Sequence, residues 1–550
     1  MAGVERDGQR KHRDAEGCDA QRAGGKGVAR SAPAAGGGIR SVLILGGGTA
    51  GWMAAAILSE TLGSRVAVTL VESAAIGTIG VGEATIPPLK LFNHRLGLDE
   101  GAFLRAVRGS IKLGIEFIGW GAPGERYIHP FGRYAVDFDI VPLHQYWLRA
   151  RALGHDVGAI EEYALAAVAA RLGCADRPIT DPRRIQSSFD YAYHLDATRY
   201  AAFLRGHAEE RGVRRIEGRV AGVERDGETG CIARLVLDDG RRLAADFFLD
   251  CSGFRSLLLG DALAVSFLDW SHWLPCDRAV ALPSKAGGAF TPHTQSFAHR
   301  AGWRWRIPLQ HRIGNGIVYQ STEMSDEEAA DTLLAALDGE PLAEPRLIRF
   351  TAGRRARLWE KNCVAIGLAG GFLEPLESTS IHLIQSALFR LLALWPLSPS
   401  DETSAREFNR LSAEEYERIR DFIILHYHAN RRDEPFWRRL AAMAVPDELA
   451  ERLAAWRACG RLVSPGPELF LNPSWLAVYT GQGVIPQACD PLADLRAGRV
   501  DADAKLAHLR RLVREAAMAM PEHAGALARI GGIAADAQED LRALATQAGG

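Results

Sequence analysis

The sequence predicts an α/β protein: a doubly wound, Rossmann-like parallel sheet, a mixed second sheet and a mainly helical C-terminal subdomain. Three observations predict it. A short apolar strand runs straight into a glycine turn and a helix at Ser41 to Leu62; a later apolar strand stops at Asp250-Cys251-Ser252-Gly253; and from about Asp401 the composition shifts to Ala, Leu, Arg and Glu.

Ser41 to Leu45 has the apolar, β-branched character of a buried parallel strand. Gly46-Gly47-Gly48-Thr49-Ala50-Gly51 follows at once, and Trp52 to Leu62 continues with helix-forming residues. Gly46 permits the tight turn, Gly48 lets backbone N–H groups approach a pyrophosphate, and Gly51 lets helix and strand pack closely, with phosphate charge on the helix N-terminus. A second strand, Arg65 to Val71, ends at Glu72, 26 positions after Gly46, where an acid reaches a ribose hydroxyl. Strand, glycines, helix and acid together predict a dinucleotide site.

Ile79 to Leu89, IGVGEATIPPL, is expected to be a loop at the carboxyl end of the sheet, placed to line a cofactor. GSIKLGIEFIGW alternates: Ile111, Leu113, Ile115 and Phe117 share one face and Lys112, Gly114 and Glu116 the other, which predicts one strand. Lys112 and Glu116 then stand ~13 Å apart and make no automatic ion pair. Asp196 to Gly212 predicts an amphipathic helix; Arg214 to Val223 and Cys231 to Gly253 predict strands joined by an Asp-Gly turn. Pro275 to Tyr319 predicts the strands of a substrate-side sheet, including WRWRIP at 303–308 and a hairpin turn at Gly314-Asn315-Gly316. Cys363 to Leu368 is a buried strand before Ala369-Gly370-Gly371. After Ser378 the pattern turns helical, which puts Ser378 and Thr379 at a helix N-terminus. Ser412 with Glu415 has the capping-box spacing that opens a helix.

The 550 residues divide into a disordered extension (1–38), a cofactor-binding domain (39–400) and a helical subdomain (401–550). A formal net charge of -2 offers no polyanion surface and excludes nucleic acid as the expected partner. Eight cysteines without CxxC spacing exclude a disulfide framework and a zinc cluster and fit a reducing compartment. His426 and His428, two apart, face different sides of a helix, so no metal site is expected. No apolar run approaches the ~20 residues that span a bilayer, and the expected location is the cytoplasm.

An early GxGxxG with a later strand ending in Asp250-Cys251-Ser252-Gly253 resembles the flavin monooxygenases and implies FAD rather than NAD. The wider set, GGGTAGWMAA, GVGEATIP, Lys112 in its alternating strand, CSGFRSLL, WRWRIP and EPLESTSIHLI, resembles the flavin-dependent tryptophan halogenase family over roughly Ile39 to Pro486. The WxWxIP element (Trp303, Trp305, Ile307, Pro308) is its most specific mark. The resemblance implies a flavin-monooxygenase-type FAD fold. It also implies that FADH2 from a separate NAD(P)H flavin reductase reacts with oxygen, and that chloride or bromide then becomes hypohalous acid at a flavin hydroperoxide. Lys112 matches the lysine that passes X⁺ to an electron-rich aromatic, by a hydrogen bond to hypohalous acid or as a haloamine. Desolvation beside Ile111 and Leu113 favours its neutral amine.

Glu377 matches the family carboxylate near the reacting ring, with Glu374 a competing, more structural candidate. The resemblance assigns Gly46, Gly48, Thr49, Ala50, Gly51, Glu72, Ala84, Val220, Leu368 and Ile381 to the cofactor. It assigns the backbone of Thr379 and Ser380 to halide, although the family mostly has Gly where this chain has Ser380. Trp303 and Trp305 match the pair that walls substrate off from flavin, and His129 and Phe131 match a loop that sandwiches indole. No counterpart of the segment that clamps the amino-acid backbone of tryptophan is found, and Glu116 stands where lysine is usual. The expected substrate is therefore a small aromatic, an indole before free tryptophan. A flavin-dependent aromatic hydroxylase and a non-catalytic flavin-binding protein are the alternatives, and a homodimer is left open.

Overall fold

The computed structural model describes residues 38–73 and 82–537. Ser41–Leu45 lies near the middle of a six-stranded sheet ordered Trp359–Glu360, Cys363–Ala365, Phe247–Asp250, Ser41–Leu45, Ala67–Glu72, Arg214–Glu217. All pairs are parallel except the Trp359–Glu360 edge. Both faces are covered, which is why the central strand is apolar at every position after Ser41: Val42 and Ile44 enter one hydrophobic core, Leu43 and Leu45 another. The helix Thr49–Leu62 follows the glycine turn and packs on Ala197–Glu210, whose N-terminus Asp196 caps by accepting from the Arg199 N–H.

A seven-stranded mixed sheet runs Arg346–Arg349, Arg278–Ser284, Ile313–Tyr319, Gly302–Pro308, Thr294–His299, Gly114–Ile118, Arg126–Pro130. Only Thr294–His299 and Gly114–Ile118 are parallel. Gly82–Ala84, Ala192–Asp196 and Ser110–Lys112 form a small antiparallel sheet, with Ala192–Asp196 in the middle. The long helix Glu402–His428 opens the C-terminal helices, and its Phe422 and Ile424 share one core with Trp52, Trp475 and Leu527. Among the described residues no helix is long and apolar enough to cross a membrane.

Several expectations are corrected. The alternating segment is two strands in two sheets, Ser110–Lys112 and Gly114–Ile118, broken at Leu113. Both of its faces are buried, so alternation there separates two interiors rather than inside from outside. Gly314 to Gly316 is no turn: it lies within Ile313–Tyr319, and the chain reverses at Leu309–Arg312. Gly316 is needed for another reason, because a Cβ there would lie 2.0 Å from the Trp305 ring. Ser412 and Glu415 fall inside the 27-residue helix, whose cap is Asp401, accepting from the Ser404 N–H. Both residues instead receive Arg390. In the expected Ile79 to Leu89 loop, Gly82–Ala84 is a strand paired with Ala192–Asp196; residues 79–81, like the predicted extension up to residue 37, lie outside the described residues.

Candidate active site

The glycine turn is shaped by contact. Gly46 has φ +118°, and a Cβ on it would sit 2.2 Å from the Cys251 carbonyl oxygen; a Cβ on Gly51 would sit 1.8 Å from the Gly46 oxygen. Only glycine allows the two parallel strands and the helix to meet there. Gly48 precedes the 14-residue helix without a side-chain cap, so its first N–H groups face outward to whatever lies beyond.

Beyond lies a cavity of about 720 Å³. Gly46, Gly48, Thr49, Ala50, Glu72, Ala84, Val220, Leu368 and Ile381 line it, with Trp303, Trp305 and Ser380. Gly51 does not; it serves the packing behind the turn. Glu72 is hydrogen-bonded by Arg215, with Arg205 3.9 Å away. A glycine cradle, an open helix N-terminus and an acid at the adjacent strand end fit a bound dinucleotide. Glu83, also on the wall, is pushed up to about 7 by burial.

Lys112 is outside this cavity and fully buried. Its Nζ donates to the Thr85 carbonyl at 2.9 Å and to Ser378 Oγ at 2.8 Å, and lies 5.1 Å over the Phe131 ring. Burial lowers its pKa to about 7, although Glu377 opposes the shift. Ser378, held at φ +60° between a short 3-10 turn and the helix Ser380–Ala393, lines the cavity as well. One hydroxyl therefore links Lys112 to the cavity wall.

Glu377 is fully buried between two imidazoles. His129 Nδ1 is 3.0 and 2.9 Å from its two oxygens, and His426 Nε2 is 2.8 Å from Oε1, off the line of an ideal hydrogen bond. Burial alone would raise the carboxyl; His129 and His426 outweigh it and lower the pKa to about 2. His129 belongs to the strand Arg126–Pro130 rather than to a loop, with Phe131 just past its end and Phe470 6.1 Å from its ring.

Trp303 and Trp305 lie side by side, 5.9 Å between ring centres, on neighbouring strand positions of one face. Trp303 Nε1 donates to Glu374 Oε2 at 3.0 Å and Tyr427 donates to the same oxygen at 2.5 Å; burial raises Glu374 to about 7. Thr379 precedes the helix Ser380–Ala393 with its Oγ1 buried and unpartnered. Glu116 pairs with Arg126 and Arg171, not Lys112.

Sequence reasoning missed Thr85, Ser378 as the lysine's partner, and His426. The signal for His426 was present: an imidazole inside FIILHY, the most apolar stretch of its helix, needs a buried partner.

The sequence model of the tryptophan halogenase family matches residues 41–498. Among solved structures, the flavin-dependent halogenase Xcc4156 of Xanthomonas campestris is 47% identical, with a TM-score of 0.86 over 90% of this chain and 98% of that one. BrvH, a flavin-dependent halogenase of Brevundimonas sp., is 45% identical, with a TM-score of 0.85 over 90% and 99%. The tryptophan 6-halogenase SttH of Streptomyces toxytricini is 36% identical over 82% of this chain and 92% of its own length. With the fold, the glycine cradle and a buried lysine in the places its motifs predict, the chain belongs to the tryptophan halogenase family.

Proposed function

We propose that this enzyme is a flavin-dependent halogenase that uses FADH2, oxygen and chloride or bromide to halogenate an electron-rich aromatic of the indole class. A separate NAD(P)H flavin reductase supplies the reduced flavin. The observation that carries the reading is Lys112, buried completely yet one hydroxyl, that of Ser378, from the cavity lined by the dinucleotide fingerprint.

Bound and reduced, the flavin supplies, with oxygen, the two-electron oxidation that makes halide electrophilic. Gly46, Gly48, Thr49 and Ala50 would hold the pyrophosphate, with Gly51 supporting the turn, and Glu72 would hold the ribose. Ala84, Val220, Leu368 and Ile381, which line the same cavity, would take the rest of FAD. Backbone N–H groups of Thr379 and Ser380, at the N-terminus of a 14-residue helix, take the halide. Because the donors are backbone, serine in place of glycine at 380 keeps them. Trp303 and Trp305, on the cavity wall, would keep an organic substrate off the flavin.

A lysine held near 7 is substantially neutral at neutral pH, so its amine donates to hypohalous acid or takes X⁺ as a haloamine. His129, Phe131 and Phe470 supply an aromatic wall that suits a flat ring. The Glu377 carboxylate stabilises the positive charge that appears on the ring once X⁺ has added. The dispersed cysteines, those among the described residues all free, suit a reducing cytoplasm.

The test is mass spectrometry of a reaction containing the protein, FAD, a flavin reductase with NADH, bromide and indole, beside Lys112→Ala. A mono-brominated product that vanishes in the variant while flavin oxidation continues is expected. Hydroxylated product, or none from indole, tryptophan and phenols, replaces the reading with a hydroxylase or a non-catalytic flavoprotein. Efficient regioselective turnover of free tryptophan overturns the preference for indole.

A further inference from the structure

The EPLEST segment carries two acids, and the reaction proposed above uses only the second. Glu374 stands one residue before the 3-10 turn Pro375–Glu377. Its neighbours Leu373, Pro375 and Leu376 line the cavity, whereas Glu374 is fully buried behind them and does not. Its Oε2 accepts from Trp303 Nε1 at 3.0 Å and from the Tyr427 hydroxyl at 2.5 Å. Oε1 is buried without a partner, and among the described residues no cation pairs with this carboxyl. Burial raises it to about 7 even though both hydrogen bonds pull the other way.

A methionine or leucine would fill the same space at lower cost, because a buried carboxyl with an unmet oxygen is destabilising. What an apolar residue cannot do is accept from an indole N–H. Trp303 is buried too, it lines the cavity, and that N–H is the only polar atom of its side chain. Turning the indole over would carry the N–H away from its acceptor and leave it unpaired, a cost that selects one ring orientation. Trp305 packs against the same ring, 5.9 Å between centres, so the setting of Trp303 passes to its neighbour on the wall. The long helix Glu402–His428 fixes the acid from the other side. There the Tyr427 ring lies 5.4 Å from Trp120, which lies 6.4 Å from Trp303 and closes the loop of contacts back to the wall.

We propose that Glu374 is a positioning residue: it sets the one orientation in which the Trp303 indole stands on the cavity wall, and so sets the share of flavin oxidation that ends in halogenated product. The proposal rests on the halogenase reading above and on the barrier role given there to Trp303 and Trp305. Glu374 itself touches neither flavin nor substrate and acts only through the indole. An indole free to turn over leaves the wall undefined, and flavin oxidation then runs without transfer to the aromatic substrate.

The test compares Glu374→Gln, which keeps a carbonyl oxygen for both donors, with Glu374→Met, which fills the space and accepts nothing; Glu374→Leu replaces the latter if methionine does not fold. Brominated indole formed per reduced flavin oxidised is measured for each, alone and in a Trp303→Phe background. Glutamine is expected to stay within about twofold of wild type, and methionine to fall by about two- to tenfold, the scale of one hydrogen bond. In the Trp303→Phe background methionine should cause no further fall. Methionine at the wild-type share, glutamine falling as far as methionine, or an equal fall in the Trp303→Phe background overturns the proposal. Fluorine NMR of the flavin-free protein carrying 5-fluorotryptophan reads the indole directly, its resonance being the one lost in Trp303→Phe. That resonance should be single in wild type and Glu374→Gln and split or broadened in Glu374→Met; an unchanged line in Glu374→Met overturns the proposal. A wild type that forms no halogenated product overturns the halogenase reading and with it the link to product share, whereas the fluorine spectra still decide whether Glu374 sets the indole.

Discussion

Replacing Lys112 with methionine should stabilise the protein while ending its activity. The lysine amine is fully buried, and burial lowers its pKa from 10.5 to about 7. At 1.36 kcal/mol per pH unit, that difference costs the fold about 5 kcal/mol wherever the unfolded lysine is charged and the folded one is forced to be too. Methionine is of similar length and removes the penalty. It also removes the bonds to the Thr85 carbonyl and Ser378 Oγ, leaving groups whose loss offsets about 3 kcal/mol. The net gain is about 2 kcal/mol. For a chain of 550 residues the unfolding entropy makes this about 2 °C in Tm. The sign in pH follows from the folded pKa lying below the unfolded one: the penalty is full below pH 7 and shrinks from there to 10.5, where both states release the proton. Circular dichroism melts of wild type and Lys112→Met at pH 6 and pH 10 measure it. A methionine variant that is less stable at pH 6, or a gap of equal size at both pH values, refutes the argument that burial lowers the pKa of this amine.

Two glycine substitutions test the cavity. Gly46→Ala places a methyl against the Cys251 carbonyl at a φ of +118°, a strain of about 1–3 kcal/mol, so FAD affinity measured by fluorescence quenching should fall about tenfold while far-UV circular dichroism is kept. Gly316→Ala drives Trp305 off the cavity wall; overpacking should lower stability by about 1–3 kcal/mol in urea denaturation and raise the share of flavin oxidation that yields no halogenated product.

The parallel sheet was legible because its information is local. Each βα unit writes itself as an apolar run, a glycine turn and a helical period, and the 41–62 segment carries all three. Errors arose where local patterns have tertiary causes. Gly314 to Gly316 has turn chemistry, yet Gly316 exists to receive an indole ring from the neighbouring strand. Ser412 and Glu415 have cap spacing, yet they serve Arg390 on another helix. Period-two alternation at Ile111 to Phe117 resembles an exposed strand edge, but two sheets bury both sides.

From residues alone came the dinucleotide cradle, the family motifs and the identity of Lys112 and Glu377, since each depends on residue type and short-range order. Only the folded chain decides what those two groups are electrostatically. Lys112 and Glu377 are 265 positions apart. The lysine's state depends on water exclusion by two sheets and on Thr85 and Ser378, and the carboxylate's on His129 and His426, drawn from a strand and a distant helix. Solvation and long-range Coulomb interaction depend on position in space, and sequence separation carries no measure of either.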